Sequence, residues 1–130
     1  MATAEFVFAE RHGRRYPVIS IHLKYKETEI DLEVLVDSGA SYTTFRGEIA
    51  DLLGIKIEDG EKRVSVGVSG KIDVFLHDID MKIFDKWFSF RVAFSRDLTS
   101  SFNLLGREGF FDRHLVTFNQ KDGKTTITEF

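Results

Sequence analysis

Alternation of apolar and polar side chains constrains the fold of this chain more than any other feature of its sequence. The stretches Val18–Tyr25 and Ile30–Val36 carry apolar residues at every second position, and the polar residues Lys26–Glu29 separate them. A period of two is the repeat of a β-strand with one buried face. Two such runs around a polar break are typical of a hairpin. The sequence therefore predicts a hairpin that ends at Asp37.

Strand patterns continue through the second half of the chain. A second hairpin is predicted over Lys62–Leu76 with a glycine-flanked tip at Gly67–Gly70, a third over Ile79–Phe94, and a fourth over Leu115–Thr128, where Asp122-Gly123 supplies a strong turn signal. Helical spacing is found only near residues 48–53, before Gly54, and as a possible turn near residues 107–112. We expect a mostly β fold, a closed antiparallel β-barrel with one or two short helices.

Length and charge exclude several classes of protein. With 130 residues the chain is expected to form a single domain, residues 1–130. A net charge of −3 offers no cationic surface for phosphate backbones, so we expect no nucleic acid partner. No apolar run is long enough to span a bilayer, so we expect no membrane partner and a cytoplasmic location.

Cofactor chemistry has little support in the sequence. There is no cysteine, and the four histidines show no metal-ligand spacing. Asp78 and Asp80 share one strand face, but a solvent-facing edge explains them without a metal. Gly67–Lys71 lacks the first glycine and the final Ser or Thr of a phosphate-binding loop, and no Gly-x-Ser-x-Gly motif is present. We expect neither a metal nor any other cofactor.

The segment with the strongest chemical implication is Leu35–Ser41, where an acid follows an apolar strand and precedes glycine. A carboxylate there emerges at the edge of a core. Two such carboxylates placed side by side share one proton, because two like charges a few ångströms apart do not both ionise easily. The ionised member then activates water and the protonated member protonates a leaving amine. Alone, however, Asp37-Ser38-Gly39 is also consistent with an ordinary Asx turn.

A second motif, Phe102–Arg107, narrows these alternatives. An apolar strand entering Asp-Ser-Gly-Ala, a glycine-rich hairpin, and two apolar residues before Gly-Arg together resemble the retropepsin family of aspartic proteases. The resemblance extends from about Ile19 to about Phe118. It is greatest to single-domain prokaryotic relatives, in which Gly-Phe-Phe-Asp follows the Gly-Arg pair, as in residues 109–112 here.

The resemblance implies a homodimeric aspartic endopeptidase that acts on peptide or unfolded polypeptide. It implies that Asp37 is the catalytic acid, with Ser38 and Gly39 beside it, and that Ser38 grips the partner subunit. Substrate would contact the catalytic loop and a flap hairpin, and the second motif would support the loop from below. The implied substrate-binding residues are Ala40, Ser41, Val66, Gly67, Val68, Ser69 and Gly70, and the implied structural supports are Leu105, Gly106 and Arg107.

Three features depart from the retroviral pattern. Ser41 stands where an Asp is common, Glu108 replaces the usual Asp or Asn after Arg107, and the helix over Glu48–Leu53 is absent from the retroviral enzymes. Two alternatives to the enzyme stay open: a non-catalytic dimeric module that binds peptide or protein on the same fold, and an unrelated β-barrel in which the motif is coincidental. A strictly monomeric protein would favour the unrelated barrel.

Overall fold

The structure, a computed structural model, describes residues 2–67 and 70–130. This part of the chain is mostly β, with one α-helix, α1 (Gly47–Leu53), and one 3-10 helix (Ile57–Asp59). The strands are β1 (Thr3–Val7), β2 (Ala9–Arg11), β3 (Arg14–Tyr16), β4 (Val18–Tyr25), β5 (Thr28–Val36), β6 (Thr44–Arg46), β7 (Glu61–Gly67), β8 (Gly70–Lys82), β9 (Trp87–Ser95), β10 (Asn103–Leu105), β11 (His114–Asn119) and β12 (Lys124–Glu129).

A sheet of seven strands, in the order β4-β5-β10-β6-β9-β8-β7, forms the larger part of the fold. Strand β4 pairs additionally with β8, through His22–Lys24. Most pairings are antiparallel, but β10 runs parallel to β5 and β6 runs parallel to β9. The sheet is therefore mostly antiparallel, as expected, and long connections allow the strands of these two pairings to run in the same direction. Closure of the sheet into a barrel stays a prediction.

The predicted hairpins are present, with one change in their boundaries. Strands β4 and β5 pair from Val18 with Leu35 to Tyr25 with Thr28, and β11 pairs with β12. The second and third predicted hairpins share one strand: β8 pairs with β7 through its first half and with β9 through its second half. A 13-residue strand that pairs with both β7 and β9 explains why the apolar pattern continues past Leu76.

One of the two predicted helical segments is confirmed. Helix α1 ends at Gly54, which has the left-handed φ of 76° common at helix ends. The segment 107–112 is not a helix but a series of turns, in which the amides of Phe111 and Asp112 donate to the carbonyls five residues before them. Gly109, with φ of 93°, interrupts the right-handed backbone that a helix requires.

The core is built largely from aromatic and branched side chains of the seven-stranded sheet. Phe45, Phe94 and Leu105 are completely buried there. A second, three-stranded sheet, β1-β12-β11, contributes Ile127 to the same core, and β2 and β3 form a separate hairpin. In the described ranges, no helix has the length and apolar character needed to cross a membrane.

Candidate active site

Asp37 lies immediately after β5, at the point where its backbone leaves the sheet. Its amide donates to the carbonyl of Leu105 in β10, over 2.9 Å. One carboxylate oxygen, Oδ1, accepts a hydrogen bond from the amide of Gly39 over 2.9 Å. The side chain is only partly exposed in a single chain. The strand thus fixes the start of the loop, and the bond from Gly39 orients the carboxylate.

Residues 37–43, which we call the acid loop, are fastened to the segment 105–108 along their whole length. The amide of Arg107 donates to the carbonyl of Ala40 over 2.9 Å, and that of Glu108 donates to the carbonyl of Ser41 over 2.9 Å. In return, the amide of Thr43 donates to the carbonyl of Glu108 over 2.9 Å. Backbone hydrogen bonds therefore hold the acid loop from below.

Gly106 is required at the centre of this arrangement. A Cβ atom at this position would lie 2.3 Å from the carbonyl oxygen of Tyr42 and 2.8 Å from that of Ala40. The Gly106 amide donates to the buried hydroxyl of Thr43 over 3.0 Å. The two chain segments approach so closely that no larger residue fits.

A cleft of about 320 Å³ opens above the acid loop. It is lined by the acid loop and Leu104, which we call its floor, by β7 and β8, and by the loop between β9 and β10. The full lining is Asp37, Gly39, Ala40, Ser41, Tyr42, Thr44, Ser65, Val66, Gly70, Ile72, Leu98, Thr99, Ser100 and Leu104. The structure thus brings Asp37, Gly39, Ala40, Ser41, Val66 and Gly70, all singled out from the sequence, to one cleft.

The β7–β8 hairpin lines another part of this cleft, which we call its roof. Ser65 and Ile72 are directly opposite each other in the strand register, and both line the cleft. Val66 also lines it, although 66% of this residue is exposed. Gly67 and Gly70 are paired where the two strands meet the hairpin tip. Val68 and Ser69, which were also expected to contact substrate, lie outside the described residues.

Ser38 does not line the cleft that contains Asp37. It is exposed and borders a second, more open cleft of about 600 Å³ together with Ser41, Arg107, Glu108, Phe111 and Asp112. Arg107 supports the acid loop through its backbone amide, and its guanidinium pairs with no carboxylate among residues 2–67 and 70–130. Leu105, the other support, is completely buried.

Several cleft residues were not identified from the sequence. Tyr42 and Thr44 follow the acidic motif closely, so their proximity to Asp37 could have suggested them. Leu98, Thr99 and Ser100 belong to a loop with no periodicity and no motif, and only the folded chain brings them to the cleft. Among the described residues, no group of three or more His, Asp or Glu side chains is placed to hold a metal ion.

Comparison with known proteins connects this geometry to one fold. No protein-family model matches the chain, and no curated protein matches it in sequence. Solved structures do match, among them two proteases. A retropepsin-like aspartic protease from Rickettsia conorii covers 98% of this chain and 99% of its own, with 19% identity and a TM-score of 0.68. EIAV protease, complexed with the inhibitor HBY-793, covers 76% of this chain and 88% of its own, with 20% identity and a TM-score of 0.56. The chain therefore has the fold of the retropepsin-like aspartic proteases.

Proposed function

We propose that this protein is an aspartic endopeptidase that works as a homodimer and hydrolyses peptide bonds of extended polypeptide. The observation that carries the proposal is the position of Asp37, a carboxylate on the floor of a roofed cleft, in a loop fastened by backbone hydrogen bonds. A residue that served only as a turn would not require this support. The fold shared with two aspartic proteases is independent support.

The chemistry requires two copies of Asp37. In the pair, the ionised carboxylate removes a proton from a water molecule, whose oxygen attacks the carbonyl carbon of the substrate. The protonated carboxyl then gives its proton to the amide nitrogen as the carbon–nitrogen bond breaks. One chain supplies one Asp37, so a second copy of the chain must supply the other. Each copy is proposed to form a single domain of 130 residues. The exposed Ser38, which borders the second cleft and not the one that contains Asp37, is the proposed contact between them.

The shape and lining of the cleft favour an extended peptide as substrate. A β-hairpin above the cleft offers backbone groups to which an extended segment can add as a strand. Ile72 from the roof and Leu104 from the floor give the cleft apolar surfaces, and Ser65 and Thr99 add hydroxyl groups at its sides. Flexible or unfolded polypeptide meets these requirements, because a folded substrate would keep its strands paired internally.

Replacement of the acid tests the proposal directly. In Asp37→Asn the amide keeps the shape of the side chain but neither shares a proton nor acts as a base, so we expect a folded dimer without detectable hydrolysis of unstructured peptides. Asp85→Asn, in the exposed β8–β9 turn, is the matched control and should retain activity. Cleavage of peptides by purified Asp37→Asn at the wild-type rate would refute the mechanism. A wild-type dimer that binds these peptides without cutting them would instead support the non-catalytic binding module.

A further inference from the structure

One side of the cleft is a loop that belongs to no strand. Residues 96–102, which we call the wall loop, connect β9 to β10 and contribute Leu98, Thr99 and Ser100 to the cleft. Because the wall loop has no strand pairing, other contacts must define its position. Among those contacts are hydrogen bonds of Arg46 and Arg96, which connect the loop to helix α1.

The first contact is at the beginning of the wall loop. Arg96 donates two hydrogen bonds to the carboxylate of Asp51 in α1, over 2.9 and 3.1 Å. The hydrogen bond from Arg96 holds the pKa of the Asp51 carboxyl below its ordinary value. The arginine crosses the start of the helix at Gly47, where a Cβ atom would lie 2.8 Å from its Cγ. A two-point bond of this kind fixes direction as well as distance.

The second contact is near the end of the wall loop. Arg46, the residue before α1, donates a hydrogen bond from its guanidinium to the carbonyl of Ser100. The same guanidinium donates to Glu48 over 2.9 Å, and the Arg46 amide donates to the side-chain oxygen of Asn103 over 2.8 Å. One residue thus holds the wall loop and the first residue of β10 against the start of the helix.

The wall loop is also connected to the roof. The Ser95 hydroxyl donates to the carbonyl of Asp73 in β8 over 2.7 Å and accepts a bond from the Asp97 amide over 3.1 Å. The position of the wall loop relative to the roof is therefore defined independently of the two arginines. The arginines define its position relative to α1.

We propose that Arg46 and Arg96 are positioning residues that hold the wall loop against α1 and thereby set how tightly the cleft binds its substrate. The proposal rests on the proposed peptidase function. Neither side chain lines the cleft or contacts Asp37. Loss of either arginine side chain should therefore weaken substrate binding and leave the chemical step nearly unchanged. The expected kinetic result is a rise in KM at constant kcat.

The test compares four variants with a matched control. Arg46→Ala should raise KM about tenfold, and Arg96→Ala, whose ion pair is more exposed, about threefold, with kcat changed less than about twofold in both. Asp51→Asn should match Arg96→Ala, and the double variant Arg96→Ala/Asp51→Asn should add nothing further. Arg11→Ala removes a comparable exposed ion pair, with Glu33, outside the wall loop and the cleft, and should leave both constants unchanged.

Hydrogen exchange supplies a readout that does not depend on activity. Amides of residues 97–102 should exchange about tenfold faster in Arg46→Ala than in the wild type, while amides of the acid loop keep their rates. Gly47→Ala is a second way to disrupt the contact between Arg96 and α1. Its methyl group would displace Arg96 and should accelerate exchange in the same segment.

The outcomes separate the two proposals. A wild-type protein that cleaves peptides, together with unchanged KM and unchanged exchange in Arg46→Ala, would overturn the positioning role alone. A wild-type protein without peptidase activity would overturn the proposed function, and exchange in residues 97–102 would then decide whether the arginines hold the loop. Faster exchange confined to the wall loop, with raised KM, is the result we expect.

Discussion

The floor and the roof of the cleft are held in opposite ways. The floor is bonded to residues 105–108, and Thr43 in the acid loop and Leu105 beneath it are completely buried. In the roof, strand β7 lies at the edge of the sheet and pairs with β8, and its Val64 and Val66 are 55% and 66% exposed. Local stability increases with the number of buried contacts. Local unfolding of the roof should therefore require much less free energy than local unfolding of the floor. A rigidly held acid beside a hairpin that opens more easily would suit the proposed endopeptidase, which must admit an extended polypeptide.

The largest effect is expected where the floor is most tightly packed. Gly106→Ala places a methyl group against the carbonyls of Tyr42 and Ala40, and we expect a loss of about 3 kcal/mol or more in the free energy of unfolding, with loss of peptidase activity. Denaturant unfolding measures the change. Gly54→Ala is the control, because open space surrounds Gly54 and only its left-handed φ costs about 1 kcal/mol. Equal losses in the two variants would contradict the close packing inferred for the floor.

A smaller loss of stability is expected when the floor loses one hydrogen bond and the side chain keeps its shape. Thr43→Val leaves the buried Gly106 amide without its acceptor, at a cost of about 2 kcal/mol in the free energy of unfolding. Thr126→Val in β12, partly exposed and without such a bond, should change stability by less than about 0.5 kcal/mol. If Thr43→Val were as stable as the wild type, the floor would not depend on this bond.

His114, which follows the segment 105–108 that supports the acid loop, should make the stability of the protein depend on pH. His114 is 5% exposed, stacks on Phe110 and bonds to its carbonyl through Nδ1. Burial lowers its pKa from 6.5, although the Phe110 carbonyl and the nearby Glu129 and Asp112 favour the charged form and Arg113 opposes it.

A lowered pKa in the folded state means that the unfolded chain binds the proton more readily. The stabilising contribution of neutral His114 is thus complete above pH 6.5 and is lost as the pH falls below that value. Thermal unfolding of the wild type and of His114→Phe between pH 7.5 and 5 should show a decrease in the melting temperature that is steeper in the wild type. Parallel curves for the two proteins would remove His114 as the cause.

The smallest effect on stability is expected in the roof. Ile72→Ala should raise KM several-fold, because Ile72 lines the cleft, but should lower the free energy of unfolding by less than about 1 kcal/mol, because the residue is only partly buried. Val64→Ala, on the other face of the same hairpin, should change neither quantity. A destabilisation by Ile72→Ala as large as that of Thr43→Val would show that roof and floor unfold as one unit.

The sequence predicts well those features that depend on local patterns. Alternation identifies β4 and β5, the glycine after Leu53 marks the end of α1, and the acidic motif places Asp37 at a strand end. Local patterns do not reveal which distant segments of the chain pair or contact each other. Nothing near residues 103–105 indicates that this three-residue strand lies parallel to β5, or that Leu98–Ser100 reach the cleft. The predicted helix at 107–112 is wrong because backbone bonds to the acid loop and the turn at Gly109 override its helical pattern.

The position of β10 between β5 and β6 has a consequence for the order in which the chain folds. The bond between Gly106 and Thr43 joins residues 63 positions apart in the sequence. Contacts over such distances form late, since the intervening chain must first lose much of its conformational freedom. During synthesis, the hairpin of β4 and β5 can form early, but the carboxylate gains its final environment only after residue 108 has left the ribosome. Unfinished chains would thus contain Asp37 without the segment that positions its loop.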